Sequence, residues 1–176
     1  MPRIQKSIEI DVSADRLWQE AVDEFDQVAV WASVLDTSRA NTEVPIPPGA
    51  TVGGRVCDVP GFGQVRETFL DVDREARTLL YEAEGLPTFV KKVINTWTVT
   101  PLGPERSRIT MDINMETGGA GRILTPMLGF QLRRQVDTTL DDLKVWLETG
   151  RVSPAKQKAN AKLARKGKPV QLPGAA

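Results

Sequence analysis

A regular stripe of apolar residues near the end of the chain constrains the fold more than any other feature. The stripe consists of Leu128, Leu132, Val136, Leu140, Leu143 and Leu147, which follow one another at intervals of three or four residues. This spacing predicts one amphipathic α-helix of about five turns. Charged residues fall largely on its other faces, and we interpret Asp141 and Asp142 as surface residues. Another layer of structure must cover the apolar face, so the preceding chain has to supply it.

The segments before this helix are predicted to be β-strands that are grouped together. They lie at 4–11, 37–43, 51–59, 63–72, 77–84, 92–100 and 107–117, and turn residues such as Pro60-Gly61 separate them. This spacing is typical of an antiparallel meander. Between the first two strands, Ser13 is a predicted helix N-cap, and two short helices are expected up to residue 34. Grouped strands with helices at the ends predict an α+β fold.

The composition excludes several classes of catalytic site. The chain has no histidine, which excludes a Ser–His–Asp triad, a Cys–His pair and a His-ligated metal. Cys57 is the single cysteine, so no intrachain disulfide or thiolate cluster is available, and we interpret it as an inert buried thiol. We therefore expect no metal and no cofactor.

The hydropathy of the sequence bears on the expected cellular location of the protein. No apolar run approaches about 18 residues, so no transmembrane helix is expected. The first residues lack the apolar stretch of a secretory signal peptide. We expect a cytoplasmic protein.

A net charge of zero conceals an uneven distribution. Residues 151–176 contain seven Lys or Arg and no acidic residue, which leaves 16 basic against 23 acidic side chains in residues 1–150. Few large apolar side chains are present, so we predict a basic, flexible tail. Two interpretations stay open: an appendage that is solvated or docks on the acidic body, or an arm that weakly contacts an anionic surface. Only Leu163 would be apolar in a helix at 155–166, which argues against membrane insertion.

Alternation within the strands separates an inward from an outward face. The inward face of the last strand carries Met111 and Ile113 between further apolar residues. The inward face of the strand at 77–84 carries Tyr81, and that of the strand at 92–100 carries Asn95 and Trp97. In the strand at 63–72, the face with Val65 and Phe69 is the better core face, and it also carries Glu67. In the strand at 51–59, two assignments of the inward face stay open: the face with Arg55 and Cys57, or the face with Val52 and Val56.

Four segments of the chain together resemble a known family. They are IEIDVSADRLWQEAVDEFDQVAVWASVL, GGRVCDVPGFGQVRETFLDVDREARTLLYEAEGLP, NTWTVTPLGPERSRITMDINME and LRRQVDTTLDDLKVWLETG. Over residues 3–150 the sequence is similar to the START/birch-pollen-allergen-like (SRPBCC) superfamily, in its polyketide cyclase/dehydrase branch. The resemblance implies a helix-grip fold, in which a curved antiparallel sheet of about six to seven strands wraps around the long C-terminal helix. It also implies a ligand-binding domain over 1–150 and favours Arg55 on the inward face.

The inward residues form a candidate ligand site of apolar walls with a few polar groups. The candidate ligand contacts are Trp31, Arg55, Glu67, Phe69, Tyr81, Asn95, Trp97, Met111, Ile113, Leu128, Leu132 and Val136. Each has a structural alternative, since Arg55 and Glu67 also suit a salt bridge and the aromatic residues suit a core.

Three functions are compatible with these features. The first, which we favour, is the binding of a hydrophobic small molecule, lipid- or polyketide-like, between the sheet and the long helix. The second is a metal-free polyketide cyclase or dehydratase, in which Glu67 moves a proton, Tyr81 donates to a carbonyl oxygen and Arg55 stabilises an enolate. The third is an interaction protein that recruits an anionic partner through its basic tail. No specific nucleic-acid partner is expected, because the body is acidic.

Overall fold

The computed structural model describes residues 3–118 and 121–172, with the backbone alone described over 121–128. Its strands are β1 (Arg3–Ile10), β2 (Thr37–Ala40), β3 (Gly54–Val59), β4 (Gly63–Asp73), β5 (Thr78–Glu84), β6 (Val90–Gly103) and β7 (Arg106–Thr117). Its α-helices are α1 (Ala14–Trp18), α2 (Gly121–Thr149) and α3 (Pro154–Arg165). A π-helical turn at Gln19–Asp23 and a 3₁₀ helix at Phe25–Val30 follow α1.

The strands form one antiparallel sheet in the order β1-β7-β6-β5-β4-β3-β2. Strands β2 to β7 pair as a meander, and β1 closes the far side by pairing with β7. A register shift between Phe69 and Asp71 marks a bulge in β4, and bulges bend and twist a strand. The predicted α+β class and helix-grip fold are confirmed, with a curved seven-stranded sheet, short helices after β1 and the long helix after the strands.

The segment between β1 and β2 fills one end of the space under the sheet. The Ser13 hydroxyl accepts a hydrogen bond of 3.2 Å from the backbone N–H of Arg16, so the predicted N-cap of α1 is present. Further along, the ring of Phe25 is fully buried and packs edge-on against three aromatic rings of the sheet. Its centroid lies 4.8 Å from Phe69, 5.2 Å from Tyr81 and 5.8 Å from Trp97.

The apolar stripe of α2 faces the sheet and the helical segment before β2. Val136, Leu140 and Leu143 are buried, whereas Leu132 and Leu147 are partly buried against the same core. The side chain of Leu128 lies outside the described residues. The interpretation of Asp142 as a surface residue is wrong, because its side chain is buried and accepts a 2.7 Å hydrogen bond from the backbone N–H of Ser33.

The segment after α2 forms a helix that contacts the domain, which is the docked arrangement that the sequence left open beside a solvated tail. Ser153 caps α3 by accepting from the N–H of Lys156, and its own hydroxyl donates to Asp142. Leu163 is buried, and the fully buried Lys156 donates to the carbonyl oxygen of Leu35 at 3.2 Å. The expectation of a flexible tail counted apolar side chains only. Polar contacts of Ser153 and Lys156 add to the buried Leu163 in joining α3 to the domain.

Within the described residues, no helix is long and apolar enough to cross a bilayer.

Candidate functional site

A cavity of about 170 Å³ lies between the inward face of the sheet and α2. Nine of the predicted contact residues line it: Arg55, Glu67, Tyr81, Asn95, Trp97, Met111, Ile113, Leu132 and Val136. Most of the other lining side chains are aliphatic, so the cavity wall is apolar with a small number of polar groups. This is the composition expected of a small-molecule site.

Three predicted contacts are not among the lining residues that the structure describes. Phe69 is buried, and its ring packs edge-on against the ring of Phe25 at a centroid distance of 4.8 Å. Trp31 is also fully buried within the core, while Val28 and Ala32 of the same segment line the cavity instead. Trp31 and Phe69 therefore lie in the core, which is the structural alternative that the sequence left open for the aromatic residues. Leu128 cannot be compared, because its side chain lies outside the described residues.

Sequence reasoning missed a polar side of the cavity that α2 supplies. Gln131, Gln135 and Thr139 line it at intervals of four residues, beside the apolar stripe. Their regular spacing was the available signal, since residues four apart share a helix face. The turns before β4 and β6 add Phe62, Leu86 and Pro87, which no pattern within a strand could place there.

The first polar group in the cavity is a buried ion pair. Arg55 and Glu67 are direct partners in the β3–β4 register, and the Arg55 Nε–H donates to Glu67 Oε2. Arg55 Nη1 also donates to the carbonyl oxygen of Phe25 at 3.3 Å, and its guanidinium carbon lies 4.0 Å from the centroid of the Phe25 ring. Burial is the largest single influence on Arg55 and lowers the pKa of its guanidinium. The attraction and hydrogen bond of Glu67, together with the attraction of Cys57 and Tyr81, exceed this effect, so the pKa is raised overall. The positive charge of Arg55 and the negative charge of Glu67 therefore cancel, and the ion pair adds no net charge to the cavity wall.

The second polar group is a hydrogen-bonded pair on the next two strands. Tyr81 and Asn95 are partners in the β5–β6 register, and Asn95 Nδ2 donates to the Tyr81 hydroxyl oxygen at 2.6 Å. Burial, together with the negative charge of Glu67, raises the pKa of Tyr81 well above its ordinary value. The hydroxyl therefore keeps its proton. Asn95 Oδ1 is buried and has no hydrogen-bond partner among the described residues.

Cys57 also lines the cavity, but its chemistry is suppressed. Its side chain is buried, and desolvation and the charge of Glu67 raise the pKa of its thiol to about 12. The thiolate is the reactive form, so this cysteine is a poor nucleophile at neutral pH. Across the described residues, no three His, Cys, Asp or Glu side chains are grouped to hold a metal ion.

Solved structures with this fold include both enzymes and START proteins. The ZhuI aromatase/cyclase from Streptomyces sp. R1128 superposes with a TM-score of 0.66 at 14% identity, over 86% of this chain and 99% of that one. A START superfamily protein from Mycobacterium smegmatis gives 0.64 at 14% identity, over 82% and 98%. Norcoclaurine synthase from Thalictrum flavum gives 0.57 at 18% identity, over 81% and 93%. At these identities the likeness shows the fold alone.

Sequence comparison carries the assignment further. No curated protein matches the chain. A family model described as polyketide cyclase/dehydrase and lipid transport matches residues 1–148, which leaves α3 outside the match. Because this match spans most of the 176 residues, the chain belongs to the polyketide cyclase/dehydrase and lipid transport family.

Proposed function

We propose that the protein binds a hydrophobic small molecule in the cavity between the sheet and α2. The observation that carries this proposal is the cavity itself, whose apolar wall surrounds the Arg55–Glu67 and Tyr81–Asn95 pairs. A core that served stability alone would gain from closing such a space, because each cavity forfeits packing contacts. The family description, which includes both lipid transport and polyketide cyclases, supports the same class of ligand.

The size of the cavity limits what fits inside it. An apolar protein cavity of about 150 Å³ holds one benzene molecule, whereas sites for drug-sized ligands measure about 300–1,000 Å³. At about 170 Å³, this cavity suits a compact ring or a short acyl segment. A long lipid or polyketide chain would extend beyond it.

Uptake of 1-aminonaphthalene, a compact two-ring fluorophore whose fluorescence rises in apolar surroundings, tests the proposal. We expect wild-type protein to raise the fluorescence saturably and small ring compounds to displace the probe. Arg55→Ala and Glu67→Ala should alter the uptake, because each leaves a buried charge unpaired at the cavity wall. If neither the probe nor any ring or lipid competitor binds, the proposal fails.

A catalytic alternative rests on the free oxygen of Glu67. Glu67 Oε1 has no hydrogen-bond partner among the described residues, and the Tyr81 hydroxyl keeps its proton, so a base and a donor face one cavity. In this alternative Glu67 removes a proton next to a carbonyl group, Tyr81 donates to the carbonyl oxygen and Arg55 stabilises the resulting enolate. Binding remains the preferred proposal because Arg55 already donates hydrogen bonds to Glu67 and to the Phe25 carbonyl oxygen. These donors are therefore not free to stabilise an enolate.

Cyclisation of poly-β-keto substrates distinguishes the catalytic alternative from binding alone. The alternative predicts faster cyclisation with wild-type protein than with Glu67→Gln, which keeps the shape of the side chain but cannot accept the proton. Equal rates would reject it.

A second alternative is recruitment of an anionic partner by α3. The specific observation is that Lys158, Lys162 and Lys166 are exposed at intervals of four residues and line a groove of about 700 Å³ beside the β3–β4 turn. No ion pair involves these three lysines among the described residues, so their charge is available to a partner. Such attraction weakens as salt increases.

Neutralising these lysines tests recruitment without removing the buried contacts of α3. Replacement of all three by Gln should weaken binding to anionic vesicles or nucleic acid at low salt. Replacement of Lys91 and Lys92, which are exposed on β6, is the control. Equal binding by both variants and wild-type protein would dismiss this alternative.

A further inference from the structure

One oxygen of the buried ion pair has no protein partner and remains accessible from the cavity. Glu67 Oε2 accepts the hydrogen bond of Arg55 Nε, whereas Glu67 Oε1 accepts none from any described residue. The Glu67 side chain lines the cavity and keeps 11% of its surface accessible. Its Oε1 retains accessible surface, unlike the unpartnered polar atoms that are sealed in the core. A carboxylate oxygen is therefore available to a hydrogen-bond donor that enters the cavity.

The other unpartnered polar groups of the wall offer no comparable acceptor. Asn95 Oδ1 and Trp97 Nε1 expose almost no surface, so an occupant cannot reach them in this arrangement. On α2, the Thr139 hydroxyl already donates to the carbonyl oxygen of Gln135 at 2.9 Å. The amides of Gln135 and Gln131 are half-exposed and exposed, so water competes for them. A buried carboxylate is also the stronger acceptor, because hydrogen bonds to charged groups exceed those between neutral groups.

The charges of the ion pair determine which kind of donor suits this oxygen. Arg55 already balances the charge of Glu67, so an ammonium group on the ligand would bring an unbalanced charge into a buried space. An anionic ligand would meet the Glu67 carboxylate as a like charge. A neutral O–H or N–H group donates to the carboxylate and avoids both penalties.

We propose that the cavity selects a compact neutral ring compound with an O–H or N–H group that donates to Glu67 Oε1. This inference rests on the proposed binding function and specifies its ligand. The volume of about 170 Å³ limits the size of the ring, and the mostly aliphatic wall contacts its apolar part. The donor group then decides between ligands of equal size.

Isothermal titration of the full-length protein with phenol, toluene and anisole at pH 7 tests the need for a donor. Phenol and toluene are nearly equal in size, and anisole keeps the oxygen but only accepts. Water holds phenol more strongly than toluene, so the readout is the phenol-to-toluene affinity ratio, compared between wild-type and variant proteins. The hydration of the free ligands cancels in this comparison.

The double variant Arg55→Met/Glu67→Leu removes the acceptor together with its counter-charge, so no unpaired ion is left in the core. We expect its phenol-to-toluene ratio to be at least about tenfold lower than that of wild-type protein, which corresponds to one hydrogen bond to a charged group. The anisole-to-toluene ratio should not change, because an ether oxygen has no proton to donate. Arg108→Met/Glu9→Leu makes the same changes at a surface ion pair between β7 and β1 and should keep the wild-type ratios.

The outcomes separate this inference from the binding function. An unchanged phenol-to-toluene ratio in Arg55→Met/Glu67→Leu would overturn the inference, and so would an equal fall of the anisole ratio, which would assign recognition to Arg55. Wild-type protein should also bind phenol more tightly than anisole, a comparison that needs no variant to fold, and tighter binding of anisole would overturn the inference. In these cases the binding function stands. Absence of binding by all three compounds would overturn both.

Discussion

Arg55 and Glu67 lie directly opposite each other on β3 and β4, and both are more than nine-tenths buried. Each supplies the counter-charge that the other needs in an apolar interior, where an unpaired ion is strongly unfavourable. The aromatic ring of Phe25 covers the guanidinium, so the pair is fixed on three sides by β3, β4 and the 3₁₀ helix. The same ion pair therefore stabilises the pairing of β3 with β4 and provides charged groups in the cavity wall.

Replacing one partner of this pair should be more damaging than replacing both. We expect Arg55→Met to lower the free energy of unfolding by about 3–5 kcal/mol, because Glu67 is left buried without its counter-charge. The double variant Arg55→Met/Glu67→Leu should recover much of the loss. Urea denaturation measures both effects. A double variant less stable than Arg55→Met would contradict the assignment of the cost to the unpaired carboxylate.

Lys156 should make stability rise with pH in the alkaline range. Burial lowers the pKa of its ammonium group to about 8 from an ordinary value of 10.5, although Asp142 and Asp36 oppose the shift. Below about pH 8 the lysine is charged in both states, and between the two pKa values the unfolded state binds more protons, so stability increases as pH rises.

The comparison with Lys156→Met isolates this effect. The difference in unfolding free energy, wild type minus variant, should increase from pH 7 to pH 10, since the variant lacks the titrating group. A difference that is independent of pH would show that Lys156 does not titrate in the folded state as described.

The docking of α3 can be tested through its single buried leucine. Leu163→Ala should reduce the free energy of unfolding by about 2–5 kcal/mol, as expected for removal of a buried leucine side chain. Leu172→Ala is the matched control, because Leu172 belongs to the same C-terminal segment but is 56% exposed. Equal and small effects of both substitutions would indicate that α3 is not held against the domain in solution.

Cys57 should react slowly with thiol reagents despite lining the cavity. A rise in the pKa of its thiol from 9.0 to about 12 lowers the thiolate fraction on the order of 1,000-fold at pH 8. The rate of disulfide exchange with an aromatic disulfide reagent, compared between native and urea-unfolded protein, measures the suppression. Similar rates in the two states would contradict the buried position.

Short-range periodicity predicted the sheet, the long helix and the inward positions of Glu67, Tyr81 and Asn95, whereas the inward position of Arg55 came from the family resemblance. Alternation with period two placed Tyr81, Asn95 and Trp97 on one face, and the helical period oriented Val136 and Leu140. The inward position of Glu67 followed from its strand neighbours in the same way. Patterns of this kind are local, and the structure preserves them.

The remaining features depend on contacts between distant segments. Phe25 fills the space beside Phe69, so Phe69 became a core residue, a result that depends on how the 3₁₀ helix enters the sheet. Asp142 is buried because Ser153 of the C-terminal segment and the backbone of Ser33 both donate to it. No pattern within α2 could reveal partners that lie in other elements.

Filling the cavity from its wall is the most direct test of the central proposal. Ala83 lines the cavity, so Ala83→Leu should occupy part of its volume, whereas Ala76→Leu adds the same side chain at an exposed turn. The measurement is the dissociation constant of naphthalene by equilibrium dialysis for wild-type protein and both variants. We expect at least about tenfold weaker binding by Ala83→Leu, with wild-type affinity for Ala76→Leu. Equal affinity of all three proteins would contradict binding between the sheet and α2.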